Sequence, residues 1–280
     1  MQEFEGKVAV ITGAASGIGF GIAERCAQEG MNVVLAGINQ ENLVRAQRAL
    51  ARTGATTLCV QADVSKRGDI EMLASETLDA FGAVHLLVNN VGVATGTSVW
   101  ECTCSDWEWV MGANLWGVIY GLQAFVPIML AQDCDCHIVN TSSIAGLLSY
   151  HPCATYQVTK HAVVALSEHL YYSLMARNAK VKASVLCPGW VRTKIMSCER
   201  NRPAELQDEA SDAPVSPAVQ AVFQGMHQAV EAGMSPALVA DKLFAAIRNE
   251  QFYVLTHPEY NPAIRARMES ILQGTHPPDL

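Results

Sequence analysis

Short apolar runs alternate with longer amphipathic stretches along the first 190 residues of the chain. The apolar runs have the length of strands, and the stretches between them have the periodicity of helices. This alternation predicts strands at residues 8–12, 33–36, 57–60, 86–89, 137–140 and 181–186, and helices at residues 18–30, 41–52, 66–81, 105–131 and 155–177. Strands that are apolar throughout indicate a parallel sheet that is covered on both faces. We therefore expect an α/β fold, a single doubly wound parallel sheet with helices on both faces and right-handed crossovers.

The regular pattern stops after Thr193. Prolines interrupt the following stretch, at positions 203, 214 and 217, until about residue 235. Helical and strand patterns then return, with a helix at residues 236–249, a strand at 252–255 and a terminal helix at about 258–272. We interpret residues 194–235 as a lid over a substrate site and residues 250–273 as a C-terminal strand and helix. Because the chain has no internal repeat or linker, residues 1–280 are interpreted as one domain.

Charge and cysteine content exclude several classes of protein. The 27 acidic and 19 basic residues give a net charge of −8, which argues against a nucleic-acid partner and a membrane surface. The N-terminus is acidic, and no apolar run approaches the roughly 20 residues of a membrane helix, so we expect a cytoplasmic protein. The nine cysteines are interpreted as reduced thiols. The pairs Cys102/Cys104 and Cys134/Cys136 lack the two-residue spacer of zinc knuckles, so no metal site is expected.

A glycine-rich segment follows the first predicted strand and opens the first predicted helix. It reads Thr12-Gly-Ala-Ala-Ser-Gly-Ile-Gly19. Glycines at this position let a pyrophosphate approach the unpaired N–H groups at the positive end of the helix dipole. We therefore predict that a dinucleotide binds here. The expected contacts are Gly13, Ser16, Gly17, Ile18 and Gly19.

The end of the second predicted strand bears on the choice of dinucleotide. Many dinucleotide-binding folds carry an acidic residue there, which binds the ribose hydroxyls. Residues 35–39 of this chain contain no carboxylate and no basic residue. The absence removes a repulsion against a 2′-phosphate, which slightly favours NADP(H) over NAD(H). Asn39 is a candidate contact to this phosphate, and Arg45 is a second one on the following helix.

Tyr156 and Lys160 are four residues apart at the start of a predicted helix, so they lie on one face of it. A fixed ammonium stabilises a phenolate and lowers the pKa of the phenol, which makes proton transfer near neutral pH feasible. Ser143 lies at the end of the strand before this helix, where its hydroxyl can hold a carbonyl oxygen. Asn114 falls within the apolar stretch 110–118, where an amide needs a hydrogen-bonding partner.

Taken together, these motifs resemble those of the short-chain dehydrogenase/reductase family, and the resemblance covers nearly the whole chain. The matching pieces are Thr12-Gly-x-x-x-Gly17-x-Gly19, Asp63-Val64, Asn89-Asn-Val-Gly92, Asn114, Ser143, Tyr156, Lys160 and Pro188-Gly-x-x-x-Thr193. The resemblance implies a Rossmann domain and reversible hydride transfer between a nicotinamide and a secondary alcohol or ketone. It implies that Tyr156 is the general acid/base and that Ser143 orients the substrate oxygen. Lys160 would bind the nicotinamide ribose and lower the tyrosine pKa, and Asn114 would hold a water molecule of a proton relay.

The same resemblance implies further cofactor contacts. They are Asp63 and Val64 at the adenine, Asn90 and Gly92 at the cleft, and Pro188, Gly189, Val191 and Thr193 on the carboxamide and pyrophosphate side. Two positions depart from the family pattern: Val91 replaces the usual alanine, and the acidic residue near Gly37 is missing. The family resemblance also implies a homodimer or homotetramer, formed through the helices predicted at 105–131 and 155–177.

The residues near the predicted strand ends indicate the kind of substrate. The expected contacts are Val93, Ile144, Tyr150, His151, Trp190 and Met196. This wall is apolar and partly aromatic, which favours an uncharged ketone or alcohol with an apolar or aromatic body. Two alternatives remain open. One is a 3-oxoacyl-thioester reductase, for which Arg192, Lys194, Arg200 and Arg202 would offer a basic patch to a carrier protein, and the other is a sensor that binds the dinucleotide without turnover.

Overall fold

In the computed structural model, which describes residues 1–96, 98–150, 152–207 and 217–278, seven parallel strands form one sheet. The strands are β1 (Val8–Thr12), β2 (Asn32–Gly37), β3 (Thr57–Gln61), β4 (Leu86–Asn89), β5 (Cys136–Thr141), β6 (Val181–Cys187) and β7 (Tyr253–Leu255). Their order across the sheet is β3-β2-β1-β4-β5-β6-β7. The order reverses between β1 and β4, and open α/β sheets bind ligands at the carboxyl ends of the strands beside such a point.

Helices cover both faces of this sheet, which confirms the expected α/β fold. They are α1 (Gly17–Gln28), α2 (Gln40–Leu50), α3 (Arg67–Phe81), α4 (Cys104–Met111), α5 (Gly117–Ala131), α6 (Ala154–Ala176), α7 (Pro217–Glu231), α8 (Pro236–Arg248) and α9 (Asn261–Gln273). On one face, α1, α2 and α8 pack on the sheet through a core that includes Ile22, Leu43 and Phe244. On the other face, α3, α5 and α6 do so around Phe125 and Leu170.

The single helix predicted at residues 105–131 is two helices joined by the π-helical turn Gly112–Trp116. The main-chain N–H of Gly117 bonds to the carbonyl of Gly112, five residues earlier. This turn contains Asn114, whose side chain is fully buried. A π turn widens the helix by one residue and is frequent at functional sites. Apolar periodicity does not reveal such a turn, since both flanking segments keep the helical pattern.

The segment interpreted as a lid is more regular than the prolines suggested. It contains short 3-10 turns at Ile195–Asn201 and Ala204–Leu206 and then helix α7. Pro203 directly precedes a 3-10 turn, and Pro217 is the first residue of α7, where the missing N–H costs nothing. Pro214 lies outside the described residues. Strand β7 pairs in parallel with β6.

Judged by length and composition alone, the segment Cys104–Ala131 could cross a membrane, since its most apolar stretch has a mean hydropathy of 1.4. This differs from the expectation that no stretch of the chain approaches a membrane span. Here the segment lies along the sheet, where Phe125 and Met129 enter the core. Only 33% of its most apolar stretch is buried within the chain, and this leaves an apolar surface on α5.

Candidate active site

A cleft of about 720 Å³ opens at the carboxyl ends of the strands. Most of the predicted site residues line it. They are Gly13, Ser16, Gly17, Ile18, Asn39, Asp63, Val64, Asn90, Gly92, Val93, Ser143, Ile144, Tyr150, Tyr156, Lys160, Pro188, Gly189, Trp190, Val191, Thr193 and Met196. Gly19 and Asn114 lie behind the wall of the cleft rather than in it, and His151 lies outside the described residues.

The glycine-rich turn has the form that a pyrophosphate requires. Gly13 and Gly17 have φ angles of 66° and 57°, which favour glycine. A Cβ on Gly19 would lie 2.3 Å from the carbonyl oxygen of Gly13. The missing side chain at Gly19 therefore lets the start of the helix lie directly against the turn. Ser16 precedes α1 in an extended conformation, and in the described structure its side chain makes no capping hydrogen bond. The first N–H groups of α1 are therefore available to an anion.

Asn90 joins the ends of β4 and β1. Its backbone N–H donates to Thr12 Oγ1 at 2.9 Å, and its Nδ2 donates to the carbonyl of Thr12 at 3.0 Å. The turn that follows β1 is thereby fixed to the neighbouring strand. Asn90 thus braces the floor of the dinucleotide site in addition to bordering it.

Near the ends of β2 and β3, Asp63 and Asn39 line the cleft and already have partners. Asp63 Oδ1 accepts from the Ser65 N–H at 3.0 Å and from the Ser65 hydroxyl at 2.7 Å. Asn39 Oδ1 accepts from the Asn42 N–H at 2.9 Å and so caps α2. The Arg45 guanidinium donates to Asn42 and is not part of the cleft wall. The second oxygen of Asp63 lies 3.7 Å from the Lys66 Nζ, so Asp63 and Asn39 both reach the cleft wall with part of their hydrogen-bonding capacity already used.

Tyr156, Lys160 and Ser143 meet at the centre of the cleft. Helix α6 carries the first two, and Ser143 follows β5. The buried Lys160 Nζ donates to the carbonyl of Thr141 at 2.9 Å and lies 5.6 Å from the centroid of the Tyr156 ring. A hydrogen bond joins the side chains of Ser143 and Tyr156. The strand end and the helix therefore bring together the three groups that the sequence predicts.

Burial is the main cause of the pKa shifts in this cluster. It raises the pKa of Tyr156 to about 12, and the hydrogen bond with Ser143 opposes this shift. Burial also lowers the pKa of Lys160 to about 8. In both groups desolvation disfavours the charged form. The lowering of the tyrosine pKa by Lys160 stays a prediction.

Asn114 connects two elements behind the cleft. Its Oδ1 accepts from the Val93 N–H at 2.8 Å, and its Nδ2 donates to the Val93 carbonyl at 2.9 Å. Nδ2 also donates to Thr159 Oγ1 at 3.1 Å, one residue before Lys160. The buried amide is thus satisfied, as its apolar surroundings require. Its side chain positions the loop after β4 against α6, while its role in holding a water molecule stays a prediction.

The substrate side of the cleft is apolar around the reacting groups. Val93, Ile144, Trp190 and Met196 contribute to its wall, as expected. Tyr150 also faces the cleft, and its backbone N–H donates to Gln157 Oε1 at 3.0 Å. Burial raises the pKa of the Tyr150 phenol, so this group remains a neutral hydrogen-bond donor.

Three contacts that the sequence analysis missed fix the first half of the lid. Arg202 forms a buried ion pair of 2.8 Å with Asp106, and its guanidinium carbon lies 5.2 Å from the Trp109 ring centroid. The Cys198 sulfur lies 3.3 Å from the Ala94 nitrogen and 3.2 Å from its carbonyl oxygen, so the thiol bonds to both. The local sequence pattern that points to one of these residues is the capping box, in which Thr103 and Asp106 bond to each other at the start of α4. Arg202 is consequently not part of an exposed basic patch.

Comparison with known proteins gives concordant results. A family model described as short chain dehydrogenase matches residues 7–204. The CLA biosynthesis dehydrogenase/reductase of Lactiplantibacillus plantarum is 35% identical over 277 residues, which cover 99% of this chain and 97% of the relative. The C alpha-dehydrogenase of a Sphingobium species is 29% identical, over 99% of this chain and 89% of the relative.

A solved structure gives the same result for the fold. It is a short chain dehydrogenase/reductase from Burkholderia phymatum in complex with NAD, and it is 43% identical to this chain. The likeness covers 100% of this chain and 99% of the other, with a TM-score of 0.95. The matches in sequence and the match in fold therefore point to the same family of proteins.

Proposed function

The chain belongs to the short-chain dehydrogenase/reductase family and is an NAD(P)-dependent oxidoreductase, and on this premise we propose that it interconverts a secondary alcohol and a ketone that carry an apolar or aromatic body. The observation that carries the proposal is the meeting of Tyr156, Ser143 and Lys160 in a cleft with two unlike ends. One end has the glycine turn and the uncapped start of α1. The other end includes the apolar side chains of Val93, Trp190 and Met196, and Lys194 and Arg200 also line the cleft.

The residues present fit a dinucleotide. Side chains in the turn from Gly13 to Gly19 would collide with neighbouring protein atoms, so the glycines keep this turn tight, and the N-terminus of α1 offers unpaired N–H groups. A bound nicotinamide supplies the hydride chemistry of the reaction. Gly13 and Gly17 would hold the pyrophosphate, and Lys160 would bind the ribose. The hydroxyl groups of Ser143 and Tyr156 then remain for the substrate oxygen.

The proton of the reaction passes through Tyr156. In the direction of oxidation, the phenolate takes the proton of the substrate hydroxyl, and in reduction the phenol returns it. Ser143 holds the same substrate oxygen and also bonds to Tyr156. Lys160 keeps a positive charge near the ring, which stabilises the phenolate. Asn114 fixes the position of α6 next to Lys160 through Thr159. The protein thus orients the substrate oxygen and transfers one proton to or from it.

A panel of ketones and alcohols tests the proposed substrate class. We expect kcat/KM for uncharged aryl or long-chain ketones to exceed that for phosphorylated ketones and a 3-oxoacyl thioester by about tenfold or more, because the cleft residues Val93, Ile144 and Trp190 are apolar. Steady-state rates with each substrate, at saturating cofactor, provide the measurement. Activity that is confined to anionic substrates would refute the proposed class, and a preference for the thioester would support the lipid-reductase alternative.

The working cofactor is proposed to be NAD(H), and the NADP(H) preference expected from the sequence is the competing prediction. Among the described residues, no guanidinium lines the cleft near the end of β2. Lys66 lines it, but its Nζ lies 3.7 Å from Asp63. The solved relative from Burkholderia phymatum is in complex with NAD. A 2′-phosphate would therefore lack the cation that usually accommodates it.

The ratio of kcat/KM for the two cofactors decides between them. We expect NAD(H) to exceed NADP(H) by about tenfold, since an unpaired phosphate loses its hydration without compensation. Ile38 is exposed at this end of the cleft, so Ile38→Arg should raise kcat/KM with NADP(H) about tenfold. Ile38→Gln is the matched control without charge and should leave the ratio unchanged. A wild-type preference for NADP(H) would contradict the proposal.

The exposed apolar surface on α5 and α6 supports self-association. Val158, Tyr172 and Met175 on α6 are 49%, 67% and 56% exposed, and Trp116 at the start of α5 is 46% exposed. Apolar patches of this kind mark interaction surfaces. We propose that these helices form the interface of a homodimer or homotetramer.

Sedimentation of the purified protein tests this interface. The wild-type protein should sediment as a multiple of the 30.2 kDa chain, and Tyr172→Glu should shift it toward the monomer because the charge cannot be buried unpaired. Trp100→Glu is the control, since Trp100 is 82% exposed on the loop after β4 and should leave the assembly intact. A monomeric wild-type protein would rule out the proposal.

A further inference from the structure

His257 follows β7 and contacts the loop that leaves β6. Its Nδ1 accepts a hydrogen bond from the Gly189 N–H at 3.0 Å, and its Nε2 lies 3.0 Å from the carbonyl oxygen of Trp190. The hydroxyl of Thr256 lies 2.7 Å from Nδ1. The side chain is buried. A residue from the last quarter of the chain therefore bonds to the backbone of two consecutive residues of the cleft wall.

These partners determine the form of the imidazole. Nδ1 accepts from a backbone N–H and so carries no proton, whereas Nε2 faces a carbonyl oxygen and so must donate. The ring is consequently neutral, with its proton on Nε2. A side chain that can both accept and donate is needed to make both of these bonds.

The loop in question forms part of the dinucleotide end of the cleft. Gly189, Trp190, Val191 and Thr193 all line it. A Cβ on Gly189 would lie 2.9 Å from His257 Cγ, so the ring lies directly against the loop. The other side of the loop is held by Met234, whose N–H donates to the Trp190 carbonyl at 3.0 Å. The loop thus lies between the end of the lid and His257.

We propose that His257 is a positioning residue of the reaction, which holds the Pro188–Thr193 loop in the conformation that receives the nicotinamide end of the dinucleotide. The residue has no contact of its own with substrate in this role. It acts through the peptide groups of Gly189 and Trp190, because their positions set those of Val191 and Thr193. The inference rests on the use of a dinucleotide by the family and is independent of which alcohol is oxidised.

Direct binding of NADH to three variants tests the proposal. His257→Phe keeps a ring but removes both bonds, and we expect the Kd to rise about tenfold, which corresponds to the loss of one or two hydrogen bonds. His257→Gln can still accept through Oε1 and donate through Nε2, and its Kd should stay within about threefold of wild type. His257→Leu replaces the phenylalanine variant if that variant does not fold, with the same expected rise.

His85 provides the matched control. It lies at the opposite end of the sheet, where its Nδ1 accepts from the Val8 N–H at 3.1 Å. His85→Phe should lower the thermal midpoint while leaving the Kd for NADH unchanged. An unchanged Kd in His257→Phe or His257→Leu, an equal loss in His257→Gln, or an equal loss in His85→Phe would each overturn the assignment. Failure of every alcohol substrate would refute the proposed function, whereas the binding comparison would still decide the role of His257.

Discussion

A Tyr156→Phe enzyme is expected to bind the dinucleotide normally and to lose turnover by a factor on the order of 10² or more, as the removal of a general acid/base should cause. The phenyl ring retains the packing of Tyr156 and lacks only the hydroxyl that exchanges a proton with the substrate. Ser143 still holds the substrate oxygen, so KM should change less than kcat. Steady-state kinetics of the variant, with the dinucleotide Kd measured in parallel, provide the check.

Tyr150 offers a control in the same cleft. It is also a largely buried phenol, and burial raises its pKa as it does for Tyr156. Tyr150→Phe should lower kcat by less than about tenfold, because this group can donate to a substrate but is not placed to exchange the reacting proton. Near wild-type turnover in Tyr156→Phe, or equal losses in the two variants, would remove the basis for assigning the proton step to Tyr156.

Lys160→Met is expected to reduce kcat by on the order of 10² or more, since the phenolate loses its neighbouring cation. The same substitution should stabilise the cofactor-free protein at pH 7. Lys160 is buried with one hydrogen bond from Nζ to a backbone carbonyl, so its charge costs folding energy. The gain should be on the order of 1–2 kcal/mol, because the lost bond offsets part of the relief from desolvation.

The stability difference between Lys160→Met and wild type should change with pH in a definite direction. Burial places the pKa of Lys160 near 8 in the folded chain, below the ordinary value of 10.5. Between these two values the unfolded chain holds the proton and the folded chain does not, so the contribution of Lys160 to stability rises with pH. The advantage of Lys160→Met should therefore be largest below pH 8 and shrink as the pH approaches 10.5. Thermal midpoints across this range provide the measurement.

Lys180 is the matched control for this comparison. It is an exposed lysine whose Nζ lies 3.1 Å from Asp133, and Lys180→Met should give no comparable pH-dependent difference. If Lys160→Met were less stable than wild type at pH 7, the conclusion that the buried ammonium is costly would be wrong.

Much of the fold could be predicted from the sequence because the information is local. Buried parallel strands are rich in apolar residues, so β1, β4 and the centre of β5 at residues 138–139 are visible as short apolar runs. The glycine turn depends on three residues within one βα connection, and Tyr156 and Lys160 need only their spacing on α6. These features do not depend on the distant parts of the chain.

The features that could not be predicted depend on distant pairs. The π turn places Asn114 against Val93 and Thr159, which are 21 and 45 residues away. Arg202 and Asp106 are 96 residues apart, and neither shows by its neighbours that it has a partner. The effect of burial on the pKa of Tyr156 could not be predicted for a related reason. Its spacing from Lys160 shows the nearby cation, whereas its burial comes from the whole wall of the cleft.

Asp106 has two tasks, because its Oδ2 accepts from the Thr103 N–H that begins α4 and its Oδ1 accepts from Arg202. One carboxylate thus joins the first turn of α4 to Arg202, in the segment that we interpret as a lid. Helix α4 runs directly into the π turn that carries Asn114. We therefore expect a substrate that displaces this segment to shift α4 as well, so that a poor fit there lowers kcat as well as affinity.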